Sequence, residues 1–140
     1  MTAKEYLQQI YIISKKISRL QQLAERLRSE AYSVGSPMGS MSPDKVQTSF
    51  SGDKMERMIA RMDKTDRQIT SEQKRLKAQS LKIHQQIEAM PDERYRSILF
   101  NRYVLCKKWE SVAEDVNMDL RYVYRLHGEA LKDFAERYDI

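Results

Sequence analysis

This chain has little with which to staple itself or to hold a metal. Its 140 residues include one cysteine, Cys106, and two histidines, His84 and His127. A lone thiol forms no intrachain disulfide, and a reducing cytoplasm is the simple expectation. A zinc site needs three or four convergent ligands. His84 has no second ligand at a suitable spacing, and His127 is expected near the exposed side of the last helix, so no metal is expected. There is no phosphate-cradling glycine loop and no nucleophile elbow. Scattered Asp/Glu pairs are what a chain with 32% charged residues contains, and they do not make an acid–base pair. Neither an enzyme nor a cofactor is expected. With four glycines and three prolines, helices meet few breakers, and Val and Ile do not alternate with polar residues over strand lengths. No apolar run approaches the roughly 20 residues of a membrane helix, and the stretch MTAKEYLQQIYIISKK lacks a signal-peptide cleavage pattern, so no membrane partner is expected.

What the chain has is charge and helical periodicity. The net charge of +5 suits a polyanion partner. It is not evenly spread, because from Pro91 onward nine Lys/Arg face ten Asp/Glu, leaving that part at about −1. The basic excess belongs to the segments before it.

Residues 3–34 carry Tyr6, Ile10, Ile13, Ile17, Leu20, Ala24, Leu27, Ala31 and Val34 in alternating steps of four and three. This spacing predicts one long amphipathic helix of ~50 Å with a coiled-coil-like seam. Thr2 is its expected N-cap, and Leu7 and Leu23 widen the stripe. Residues 35–52 hold three of the four glycines and two of the three prolines, which predicts a flexible loop. A second long helix is expected from about Asp53 to Ala89, with its seam through Met55, Ile59, Met62, Asp66, Ile69, Gln73, Leu76, Ser80, Ile83, Ile87 and Met90. The economical arrangement of residues 1–90 is an antiparallel hairpin, and the broad first stripe leaves room for a homodimer through these helices. Arg57, Arg61, Lys64, Arg67, Lys74, Arg75, Lys77 and Lys82 give the second helix a basic exterior, which is either a solvated face or a phosphate contact.

Pro91 is placed at the first position of a new helix, with Asp92 and Glu93 favourable at its positive end. Ile98, Leu99 and Tyr103 are expected to pack on the run Trp109–Phe134, WESVAEDVNMDLRYVYRLHGEALKDF. In that run Val112, Ala113 and Val116 share one face, and Trp109 is expected in the core. The Asn117-Met118-Asp119 break comes next, with Asn117 suited to a left-handed turn and Asp119 to an N-cap. A second apolar face then runs through Val123, Leu126, Ala130, Leu131 and Phe134. This pattern fits a helix-turn-helix whose second helix enters a DNA major groove, or an ordinary pair of packed helices. In the first reading Leu120, Arg121, Tyr124 and Arg125 face outward toward base edges, and Lys107, Lys108 and Lys132 are candidates for phosphate contacts.

The run from Met90 to Phe134 also resembles region four of bacterial sigma factors. The matching features are Met90-Pro91, Ile98-Leu99, Arg102-Tyr103, Trp109, Val112-Ala113, Val123 and Ala130-Leu131. With the helical segment in front, the chain resembles the small sigma-region-four-like regulators of phages and prophages of the ArpU/RinA type. The resemblance implies an all-α fold, a long coiled-coil-like helical hairpin (1–90) followed by a three- to four-helix helix-turn-helix domain (91–140). It also implies double-stranded DNA as partner, RNA polymerase as a second one, and residence in the bacterial host cytoplasm. It maps Leu120, Arg121, Tyr124 and Arg125 onto base-reading positions. The positions held here by Leu120 and Tyr124 are commonly arginine in primary sigma factors, so a phage-specific operator is expected rather than the usual promoter hexamer. Two other readings stay open: a DNA-packaging recognition subunit, and an adaptor that binds polymerase or a sigma factor without reading DNA.

Overall fold

The structure, a computed structural model, describes residues 1–34 and 48–140. As expected it is all-α, with no strand among the described residues. The elements are α1 (Ala3–Leu7), α2 (Gln9–Val34), α3 (Thr48–Glu88), α4 (Glu93–Leu99), a π-helical turn (Phe100–Val104), α5 (Trp109–Val116) and α6 (Leu120–Tyr138).

Thr2 caps α1 reciprocally. Its hydroxyl accepts from the Glu5 N–H at 3.2 Å, and its own N–H donates to the Glu5 carboxylate at 2.8 Å. The single helix expected over 3–34 is interrupted at Gln8 alone, which keeps a right-handed conformation (φ −70°, ψ −9°). Of the loop expected at 35–52, residues 35–47 lie outside the described residues, and α3 has already begun at Thr48. The expected start was about Asp53, just after Gly52. The helix runs through it, since one glycine costs only about 1 kcal/mol there.

The chain divides into two compact units, Lys15–Lys74 and Met1–Ser14 with Arg75–Ile140. The unit that holds α4 to α6 thus also takes in α1 and the end of α3. In the Lys15–Lys74 unit, Ile17, Ala24 and Leu27 of α2 and Met58 and Thr65 of α3 are buried. The pairs Lys16–Glu72 (2.8 Å) and Arg28–Asp66 (3.4 Å) set the two helices antiparallel. The seam of α3 differs from the expected one here. Met58, Thr65 and Glu72 turn inward where Ile59, Asp66 and Gln73 were expected, and Ile59 is 56% exposed. The phase of a straight helix explains this. It drifts by about 20° per heptad, so over some five heptads the inward position moves one residue along. Toward the end of α3 the expected Ile83, Ile87 and Met90 are indeed fully buried.

In the other unit two clusters form. Ala3, Leu7, Ile10, Ile83, Ile87, Met90, Leu99, Tyr103, Ala130 and Phe134 make the larger. Polar side chains edge it: the Tyr6 hydroxyl donates to Gln86 (2.7 Å), Gln79 to Gln9 (2.6 Å), and the Tyr138 hydroxyl to the Gln86 carbonyl (2.6 Å). Ile98, Val112, Ala113, Val123 and Leu126 make the smaller, flanked by Tyr95, Trp109, Val116, Met118 and Leu120. One helix serves both, since the first half of α6 packs on α4 and α5 while its second half packs on α1 and α3.

Candidate nucleic-acid interface

Asn117 ends α5 in the left-handed conformation (φ 56°, ψ 48°), which its short polar side chain tolerates. Its N–H and that of Met118 return to the last turn of α5, the latter reaching the Ala113 carbonyl at 3.0 Å. Asp119 then caps α6, accepting from the Arg121 N–H at 3.2 Å. This corner turns the chain within three residues. Val123, Leu126, Ala130 and Phe134 of α6 are sealed, so residues on the opposite side of the helix must face outward.

Arg121, Tyr124, Arg125, Lys132 and Lys108 are all exposed. The Arg121, Lys108 and Lys132 side chains have no ion-pair partner among the described residues. Arg125 lies 3.5 Å from Glu129, one turn on, and Tyr124 sets its ring edge-on to Trp109 at 5.3 Å. Leu120, expected to face outward, is half-buried and packs on the smaller cluster, because the Asn117 corner folds Met118 and Leu120 over it. Lys107 is also half-buried, and its ammonium is held by Asp115 (2.5 Å) and Asn101 (3.0 Å). It is a brace between the π turn and α5 rather than a free cation.

Several neighbours of this face are not foreseen from the sequence. Pro91 precedes the helix rather than opening it: Asp92 is the N-cap, accepting from the Arg94 N–H at 2.9 Å. The Arg94 side chain forks onto the same carboxylate and holds its pKa below the usual range. Arg94 also donates to the Tyr122 hydroxyl at 2.9 Å, tying α4 to the first turn of α6. The π turn closes with the Leu105 N–H on the Phe100 carbonyl (3.0 Å), and Cys106 follows at φ 55°. Arg102 leaves this turn to lie 4.7 Å over the Trp109 ring and to donate to the Lys107 carbonyl at 2.8 Å.

His127 is not near the exposed side, as the sequence suggested, but half-buried. It stands 2.7 Å from the Tyr103 hydroxyl and edge-on to Trp109 at 4.5 Å. Burial, with Lys4 and Arg102 nearby, pushes its pKa down to about 4, and burial pushes Tyr103 up to about 12. The neutral imidazole is therefore the folded form. An unfolded histidine near 6.5 takes up a proton sooner, so stability is full above that pH and is lost as pH falls toward 4. The expected loss over this window is about 1–2 kcal/mol after discounting for exposure. Thermal melts at intervals from pH 7 to 4.5 should show His127→Gln losing less stability than the parent; parallel curves would refute this.

The chain matches no protein-family model, no curated protein and no solved structure. No helix among the described residues is long and apolar enough to cross a membrane, and no group of His, Cys, Asp and Glu among them is arranged to hold a metal ion.

Proposed function

We propose that this chain is a sequence-specific DNA-binding transcription regulator of phage or prophage genes, of the sigma-region-four-like kind that its sequence resembles. In this reading a helical hairpin precedes a helix-turn-helix, α5 positions α6, and α6 lies in the major groove. Arg121 and Arg125 read base edges, Tyr124 meets a base or a phosphate, and Lys108 and Lys132 meet phosphates. The N-terminal helices supply a homodimer contact, and RNA polymerase is a second partner. The observation that carries the reading is the outward face of α6 just after the Asn117 corner. There Arg121 is exposed and has no ion-pair partner among the described residues, while the inward residues of the same turns are fully sealed. Arginine donates two hydrogen bonds to guanine, which makes it the side chain best suited to that position.

A second reading, an adaptor that binds polymerase or a sigma factor without reading DNA, is favoured by the internal pairing of cations. Arg94, Arg96, Lys107 and Arg125 each have a carboxylate partner within the chain. Selection of bound duplexes from a random pool separates the two. The DNA-reading proposal expects an enriched motif, and a palindromic one if the chain acts as a dimer. A pool that stays random through successive rounds would refute it.

A further inference from the structure

The unit from Lys15 to Lys74 carries most of the net positive charge, with twelve Lys/Arg against eight Asp/Glu, whereas thirteen face twelve in the rest of the chain. Within it, Lys54, Arg57, Arg61 and Lys64 of α3 recur at steps of three and four and are all exposed, so they share one side of the helix. Lys54, Arg57 and Arg61 line an open groove of about 350 Å³ with Met58 and Glu30, and Glu30 is already paired with Arg26 at 3.2 Å. Asp53 and Glu56 adjoin Arg57 on its far side. The other carboxylates of this part of α3 are engaged elsewhere: Asp63 with Arg67, Asp66 with Arg28 and Glu72 with Lys16. None of the four cations has an ion-pair partner among the described residues.

We infer that this side of α3 is a second, sequence-independent nucleic-acid surface, gripping the phosphates of one strand through Lys54, Arg57, Arg61 and Lys64. The inference rests on the DNA-binding reading only in taking duplex DNA as the partner. Ten residues of helix advance ~15 Å, a length over which duplex DNA presents several phosphates within reach of long, flexible cationic side chains. The surface supplies what α6 lacks. Salt-dependent affinity comes from cations that displace counterions, and four of the nine Lys/Arg from Pro91 onward, Arg94, Arg96, Lys107 and Arg125, are already paired with carboxylates of their own unit.

The test is binding of the full chain to a random-sequence duplex, by fluorescence anisotropy, between about 50 and 200 mM salt. The quadruple variant Lys54→Gln, Arg57→Gln, Arg61→Gln, Lys64→Gln keeps good helix formers at exposed sites, and an unchanged far-UV spectrum would confirm its fold. It is expected to bind at least tenfold more weakly at ~100 mM salt, with the slope of log affinity on log salt reduced by about three to four. An unchanged affinity and slope would overturn the inference. So would polyglutamate binding the parent more tightly than duplex at equal charge, which would assign the surface to an acidic protein. Arg121→Ala with Arg125→Ala should leave the difference between parent and quadruple variant in place on random duplex. The base-reading proposal and this one can therefore fail separately.

Discussion

Phe134→Ala is expected to destabilise the unit that holds α6 by about 3–5 kcal/mol, the usual cost of emptying a fully buried aromatic site. Phe134 is 0% exposed, with Tyr138 at 4.7 Å and Tyr6 at 6.0 Å between ring centroids. It lies in the larger cluster with Ala3, Leu7, Ile83 and Ile87, so it is where the last helix is fastened to α1 and α3. Little can collapse into the space, because these neighbours stand on three different helices. Domains have about 5–15 kcal/mol to lose, so the variant should sit near its unfolding threshold. Its melting temperature should fall by about 15 °C or more by circular dichroism. Lys132→Ala, exposed on the same helix, serves as the control and should stay within about 0.5 kcal/mol. A loss below about 1 kcal/mol for Phe134→Ala would mean that the second half of α6 is not docked as described.

The inward face of α6 was legible in the sequence, because Val123, Leu126, Ala130 and Phe134 repeat at helical spacing and burial follows that period, but that its second half packs on α1 and α3 was not, since residues 1–90 and 91–140 were expected as separate domains. The corner at Asn117 and Asp119 was legible for a different reason: few residues tolerate a left-handed turn or cap a helix, so their chemistry nearly names the conformation. The π turn at Phe100–Val104 left no such mark, as it differs from an α-helix by one hydrogen-bond step. Everything it rearranges was hidden with it. Lys107 reads as a surface cation until the turn brings Asn101 and Asp115 around it, and His127 reads as exposed until Tyr103 and Trp109 close over it. Leu120 lies between the two cases. Its place at the start of α6 was readable, but the fold of the corner, not the period, decides that it packs inward. In α3 the heptad repeat was plain while its phase was not, because a drift of some 20° per heptad exceeds what a pattern of half-polar positions can fix.

On a duplex carrying the motif from the random-pool selection, Arg121→Ala and Arg125→Ala are each expected to weaken binding by about 1–3 kcal/mol. They should also relax preference at one base position each. Both side chains are exposed, and alanine is at least as good a helix former, so a folding defect is not expected to confuse the result. The two arginines start from different states. Arg121 has no ion-pair partner among the described residues and is available as it stands. Arg125 must first leave Glu129, 3.5 Å away, but both partners of that pair are solvent-exposed, with side chains 74% and 43% accessible, and such pairs contribute at most about 1 kcal/mol. Glu129→Ala should accordingly bind the motif as tightly as the parent or more tightly, the opposite sign to its neighbour. Lys107→Ala offers the complementary contrast: its ammonium is occupied by Asp115 and Asn101, so the loss should appear in thermal stability and leave motif preference unchanged. Gel-shift and anisotropy titrations at one stated salt concentration measure all four. If both arginine variants keep the parent's preference for the motif over random duplex, α6 does not read DNA, and the adaptor reading takes its place.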